Sequence, residues 1–391
     1  MNILLQCPFA LSGCLLASSP PPSRVFSVVL NLWSPCCVPA FLLLVIGLVY
    51  SELMNSDIPR GVTNRRKLHL VHGLSVGIAV VGRILHRMGI CHQVSFIRWF
   101  IACFLTGLNP LPAGLRVKDL KFSEVPVRVY EPTTVCNGLR RGLVYFHGGG
   151  WVLGSIDSVD EVCRHVAKES DTTVVSVGYR LAPEHRYPAQ LDDCEAATCH
   201  FLSVAEAEFR VDSRRVAVGG DSTGANLAAA LCQRLARRED GHLPFPCAQD
   251  VLEGNHVPTE LRPRYKKWLS PSNLPPECLA RGFCEHPVPE YDGEVYHAIK
   301  AGLEPEVSPL LEDDAVIEKT PPTFILTCEY DVLRDDGILY RKRLLDLKKD
   351  VTWRHVTDGF HGMINYFNQG WLTFPCALQL VDSVAEYVKT L

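Results

Sequence analysis

The stretch Arg215-Val216-Ala217-Val218-Gly219-Gly220-Asp221-Ser222-Thr223-Gly224-Ala225-Asn226 decides how the rest of the chain is read. Val216 to Val218 is an apolar run that predicts a buried strand. Ala225 to Leu231 is rich in strong helix formers. Between them stand Gly220, Ser222 and Gly224 in a Gly-x-Ser-x-Gly pattern. Strand, tight turn and helix form the context of a nucleophile elbow. Such a turn holds its serine in a strained backbone conformation, and side chains at the flanking glycines would collide with neighbouring backbone. It also places the Ser222 hydroxyl at a helix N-terminus, where partial positive charge favours a developing anion.

Outward from this turn, apolar runs alternate with helical segments. Val125 to Tyr130 alternates with period two, Leu143 to His147 is apolar for most of its length, and Thr173 to Tyr179 is rich in β-branched residues. Thr323 to Cys328 and Val351 to His355 continue the series. Strands spaced by helices predict an α/β protein with a mostly parallel sheet covered on both faces. Ligands of such sheets bind at the carboxyl ends of the strands.

Three sites at those ends carry chemistry. His147-Gly148-Gly149-Gly150-Trp151 ends its strand with three glycines whose backbone N–H groups a carbonyl oxygen can approach. In acyl transfer these donors form an oxyanion hole, completed by the N–H of Thr223 after the nucleophile. The orienting acid is sought after Thr323 to Cys328, where Asp331 stands closest to the strand end. Asp335 and Asp336 suit the cap of the following helix. The base is sought after the last strand, where Asp358-Gly359-Phe360-His361-Gly362 presents His361 between glycines.

These motifs, with Tyr179-Arg180-Leu181-Ala182-Pro183-Glu184-His185 and Arg264-Tyr265-Lys266-Lys267-Trp268-Leu269-Ser270-Pro271, resemble the hormone-sensitive-lipase group of α/β-hydrolases. Within it the chain is similar to the arylacetamide-deacetylase branch, from about residue 38 onward. The resemblance implies a triad of Ser222, Asp331 and His361, with Gly148, Gly149 and Thr223 around the oxyanion. It implies no cofactor or metal, and small apolar ester, acyl-lipid or arylamide substrates. It also implies a single-span, type II membrane protein with its catalytic domain in the endoplasmic reticulum lumen.

Two departures stand out. The family usually has alanine where this chain has Thr223; because the hole uses the backbone N–H, the change is expected to be tolerated. The second concerns the sheet. After the nucleophile helix the family carries another apolar parallel strand, but here Glu239 to Asp250 runs on toward Val257-Pro258 with prolines at 244 and 246. A strand is therefore expected to be missing, with residues 245 to 252 a poor substitute. The opposing reading, a catalytically inactive or poorly folded truncated isoform acting, if at all, as a binding protein, rests on that gap.

The N-terminal part reads differently. Residues 25 to 51 carry no charge and are long enough to cross a bilayer once, with Pro35 and Pro39 marking a kink or late start. Residues 1–52 are taken as the anchor segment and 53–391 as the hydrolase domain, with a helical cap at about 60–110 built from amphipathic helices. Arg60, Arg65, Arg66 and Lys67 follow the span, and the positive-inside rule would put them in the cytoplasm. The resemblance implies the lumen, and it is given precedence. A net charge of −4 offers no electrostatic case for nucleic acid. The 16 cysteines include no Cys-x-x-Cys pair and no Cys/His ligand cluster, so neither composition nor spacing points to zinc.

Overall fold

The computed structural model describes residues 58–104, 110, 112–238, 245–252 and 304–391, together with single helical positions between 43 and 54. Most of the expected anchor, residues 25–51, and the Arg264–Pro271 motif lie outside the described residues. The chain divides into two compact units, Met1–Leu108 and Asn109–Leu391.

The first unit contains α1 (Arg65–Arg87) and α2 (Gln93–Phe104). They pack where α1 carries a glycine: a Cβ at Gly82 would lie 3.2 Å from the Phe96 ring and 3.3 Å from Gln93. Both helices fall in the stretch expected to be amphipathic. At 23 residues, α1 is also long and apolar enough to span a bilayer, a property the sequence reading assigned only to residues before 52.

The second unit is built on an eight-stranded sheet of order β1-β2-β4-β3-β5-β6-β7-β8. Its strands are β1 (Leu115–Phe122), β2 (Val125–Pro132), β3 (Arg140–Phe146), β4 (Thr172–Val177), β5 (Val211–Asp221), β6 (Ala248–Leu252), β7 (Thr323–Tyr330) and β8 (Val351–Phe360). Only β2 runs against its neighbours; every pairing from β4 through β8 is parallel. The helices after α2 are α3 (Asp160–Ser170), α4 (Ala189–Phe209), α5 (Thr223–Ala236), the short α6 (Asp314–Ile317), α7 (Arg334–Asp346) and α8 (Pro375–Lys389). All six residues of β4 are buried, as a strand covered on both faces requires. One face packs Val144, Phe146, Val175 and Val218 against Phe201 of α4 and Leu227 and Leu231 of α5. On the β7 side, Ile325 meets Ala229 of α5 and Leu339, Tyr340 and Leu344 of α7.

The expected missing strand is present, and that expectation is corrected. Five residues, Ala248–Leu252, form β6 and pair in parallel with β5 (Ala217↔Ala248 to Asp221↔Leu252) and with β7 (Gln249↔Thr323 to Leu252↔Leu326). Pro246 lies two residues before the strand, so the missing proline N–H removes no ladder bond. Gln249 is polar in a buried position. Its Nε2 donates to Thr323 Oγ1 at 2.8 Å and to the Tyr340 hydroxyl at 3.3 Å, which lets an amide sit inside the sheet. The sheet closes across the place where a gap was expected.

Candidate active site

Four strand ends deliver the chemistry. β3 ends at Phe146 and β5 at Asp221, in register at Phe146↔Gly220, so the glycine loop and the Ser222 turn emerge side by side. Ser222 has φ 52° and ψ −120°, a left-handed conformation unusual for a side-chain-bearing residue. The glycines around it leave no alternative. A Cβ on Gly220 or on Gly224 would overlap the carbonyl oxygen of Phe146, so strand β3 and the turn can approach only without side chains there.

The structure brings Ser222, His361 and Asp331 together, each one residue past the end of β5, β8 and β7 respectively. Ser222 Oγ lies 3.0 Å from His361 Nε2, and His361 Nδ1 lies 2.9 Å from Asp331 Oδ1. The Asp331 side chain is fully buried, whereas His361 keeps 34% of its side-chain surface exposed toward solvent. Asp331 Oδ1 also accepts the Leu333 N–H at 2.7 Å, which fixes the carboxylate plane; Oδ2 has no partner among the described residues. Asp335 and Asp336 lie in the first turn of α7. The helix itself is capped by Leu333 without a side-chain bond, a correction to the expected cap.

The three glycines divide the work differently from the sequence reading. Gly148 N–H donates to Asp221 Oδ1 at 3.0 Å, so it is committed within the protein and does not face a ligand. Gly149 N–H and Thr223 N–H have no acceptor among the described residues. Gly150 N–H donates to Thr223 Oγ1 at 3.0 Å. The loop is stiffened from behind: Gly149 O accepts from Val152 N at 3.2 Å and Leu153 N at 2.7 Å, and Trp151 Nε1 donates to Thr223 O at 3.3 Å.

Asp221 was not among the expected site residues. It is wholly buried at the end of β5, and its Oδ1 also accepts the Tyr145 hydroxyl at 3.0 Å. Burial pushes its carboxyl pKa up, while donors from Tyr145, Gly148 and Asn365, and the nearby His361, oppose that shift. The signal was visible in retrospect: a carboxylate between Gly220 and Ser222 at the end of an apolar strand needs a buried purpose. His147 plays a similar supporting part. Its ring stacks on Tyr179 with centroids 4.3 Å apart, Nδ1–H donates to Gly148 O at 2.8 Å, and burial lowers its pKa to about 4. The Tyr179 hydroxyl donates to His147 O at 2.5 Å, so the start of the glycine loop is held by two rings. A cavity of about 400 Å³ adjoins His147, Tyr179 and Ile156 on this side, and no triad residue lines it.

The profile of the alpha/beta hydrolase fold matches residues 143–365, more than half of the chain. Human arylacetamide deacetylase-like 3 is 32% identical over 414 positions, covering 94% of this chain and 97% of the relative. The chain belongs to the arylacetamide deacetylase family of α/β-hydrolases. Rat neutral cholesterol ester hydrolase 1 is 31% identical over 89% of this chain and 97% of its own length. The alignment spans 414 positions against the 391 residues here, so the human relative carries residues without a counterpart in this α/β-hydrolase.

Among solved structures, a thermostable esterase from Pseudomonas putida superposes with TM-score 0.64 over 86% of this chain and 98% of its own. At 22% identity, that likeness speaks for the fold alone. An ester hydrolase from the Lake Arreo metagenome, bound to a bipyridine phosphonate derivative, reaches 30% identity and TM-score 0.58 over 76% of this chain and 90% of its own. This α/β-hydrolase is a carboxylic ester hydrolase.

Proposed function

We propose that the protein is a membrane-associated serine esterase acting through an acyl-enzyme on Ser222. The observation that carries the reading is the unbroken hydrogen-bonded series Ser222 Oγ, His361 Nε2, His361 Nδ1, Asp331 Oδ1, at 3.0 and 2.9 Å. Ser222 Oγ attacks the ester carbonyl carbon as its proton passes to His361 Nε2. The carbonyl oxygen, now an oxyanion, is met by the N–H groups of Gly149 and Thr223 at the start of α5. Collapse of the tetrahedral adduct breaks the bond to the alcohol, which leaves with the proton from His361. Water, deprotonated by the same nitrogen, then releases the acid and restores Ser222. Asp331 accepts from His361 Nδ1 and holds the imidazole in the tautomer that accepts at Nε2.

The substrate class in this reading is small apolar esters and acyl lipids. The support is the family of relatives, whose names include an arylacetamide deacetylase from rabbit and a neutral cholesterol ester hydrolase from rat. Membrane association is supported by the uncharged residues 25–51 and by α1 and α2. Those two helices contain no Asp or Glu but carry Arg65, Arg66, Lys67, Arg83, Arg87 and Arg98. A single span with a lumenal catalytic domain in the endoplasmic reticulum completes the proposal.

The test is labelling of the full chain, expressed in membranes, with a fluorophosphonate probe beside Ser222→Ala. Labelling that disappears in the variant is the expected result. Labelling retained by Ser222→Ala, or absent from wild-type protein that melts cooperatively, overturns the reading.

A further inference from the structure

We infer that the Thr223 hydroxyl withholds one oxyanion donor from the substrate and thereby sets the turnover rate of this hydrolase. The inference rests on the serine-esterase reading and asks what the side chain after the nucleophile does there.

The Gly148–Gly150 loop offers three successive N–H groups, and each has a different fate. Gly148 N–H is spent on the buried Asp221 carboxylate at 3.0 Å. Gly149, at φ 126°, and Gly150, at φ 66°, adopt backbone conformations that favour glycine. Gly149 N–H and Thr223 N–H have no acceptor among the described residues. Gly150 N–H is the natural third donor, yet Thr223 Oγ1 already accepts it at 3.0 Å. An alanine at 223, which has no atom beyond Cβ, could not do this. The loop cannot swing away to free the amide, because Val152 N and Leu153 N hold Gly149 O and Trp151 Nε1 holds Thr223 O.

Thr223 thus ties the nucleophile turn to the glycine loop through its hydroxyl oxygen. An oxyanion gains two backbone donors instead of three.

The experiment compares Thr223→Ala, Thr223→Ser and Thr223→Val with wild type, as full chains in detergent, with Ser222→Ala as the blank. The readouts are kcat and KM for p-nitrophenyl butyrate and the inhibition constant of an alkyl trifluoromethyl ketone, whose hemiketal oxygen mimics the oxyanion. Thr223→Ala should raise kcat about tenfold or more, since one such donor is worth a large factor in rate. KM should stay within about twofold, as expected for an interaction made only in the transition state. The ketone should bind more tightly by the same factor as kcat. Thr223→Ser keeps the acceptor on Gly150 N–H and should lack the rise seen in Thr223→Ala. Thr223→Val removes the acceptor but keeps bulk over Gly150, so it should show no gain.

A kcat that falls in Thr223→Ala while Thr223→Ser holds would show that the hydroxyl itself donates to the oxyanion, and the inference is then wrong. Ser222-dependent turnover that is equal in wild type and Thr223→Ala also overturns it while leaving the esterase reading intact. Absence of Ser222-dependent turnover in every variant overturns both.

Discussion

Acidification should destabilise the hydrolase unit through His147. The ring is 1% exposed, stacks on Tyr179 and donates through Nδ1 to Gly148 O, and burial holds its pKa near 4 instead of 6.5. In the unfolded chain the same imidazole takes a proton at about pH 6.5. The folded pKa is depressed, so the stability His147 contributes is complete above pH 6.5. It is lost progressively as pH falls from 6.5 to 4, and levels off below that. A shift of this size corresponds to about 3 kcal/mol across the window. Asp221 works in the opposite sense. Its raised carboxyl pKa adds stability at low pH that is lost as pH rises through the folded value, so the wild-type curve alone is a sum. The assay is therefore a difference: urea unfolding followed by tryptophan fluorescence between pH 4 and 8, for wild type and His147→Asn. Asparagine keeps a donor near the Nδ1 position but has no proton to gain. The stability gap between the two should narrow by about 3 kcal/mol on going from pH 7 to pH 4. A gap that stays constant across that range would refute the assignment of the shift to burial of His147.

Two further outcomes follow from the site. Gly224→Ala places a Cβ against the Phe146 carbonyl and should cost about 1–3 kcal/mol or more, with loss of labelling; a variant melting with wild type would show that the turn can relax. Asp331→Asn should retain the fold and KM but lower kcat by about 10⁴-fold, because the amide holds His361 in the wrong tautomer; kinetics with p-nitrophenyl butyrate decide this, and a loss under tenfold would remove Asp331 from its role.

Much of this arrangement was legible from residue order because the residues concerned sit where strands end. Ser222, Asp331 and His361 each follow an apolar or β-branched run, and parallel strands put all such ends on one edge of the sheet. β6 was not legible. Five residues with a glutamine at a buried position, two residues past a proline, lack both length and hydrophobic pattern; the ladders to β5 and β7 hold the strand, and Gln249 Nε2 finds Thr323 and Tyr340. β1 escaped for the opposite reason: Arg116, Lys118, Asp119 and Lys121 are charges suited to an exposed edge strand and erase its period. The fates of the glycine amides could not be read at all, since which N–H meets Asp221 and which meets Thr223 depends on strand register between residues more than 70 positions apart.

The short strand β6 contributes no side chain to the Ser222–His361–Asp331 series, yet it works as a gauge block. Ser222 leaves β5 and Asp331 leaves β7, so their strands stand two interstrand steps apart, about 10 Å. That width fits one imidazole with a hydrogen bond on either side, here 3.0 and 2.9 Å. With β7 directly beside β5, the carboxylate would crowd the serine and leave no berth for the ring. The gauge needs thickness, not length: a pairing of five residues sets the spacing as well as nine would. Shortening the chain around this strand is thus compatible with an assembled site as long as one ladder remains on each of its sides.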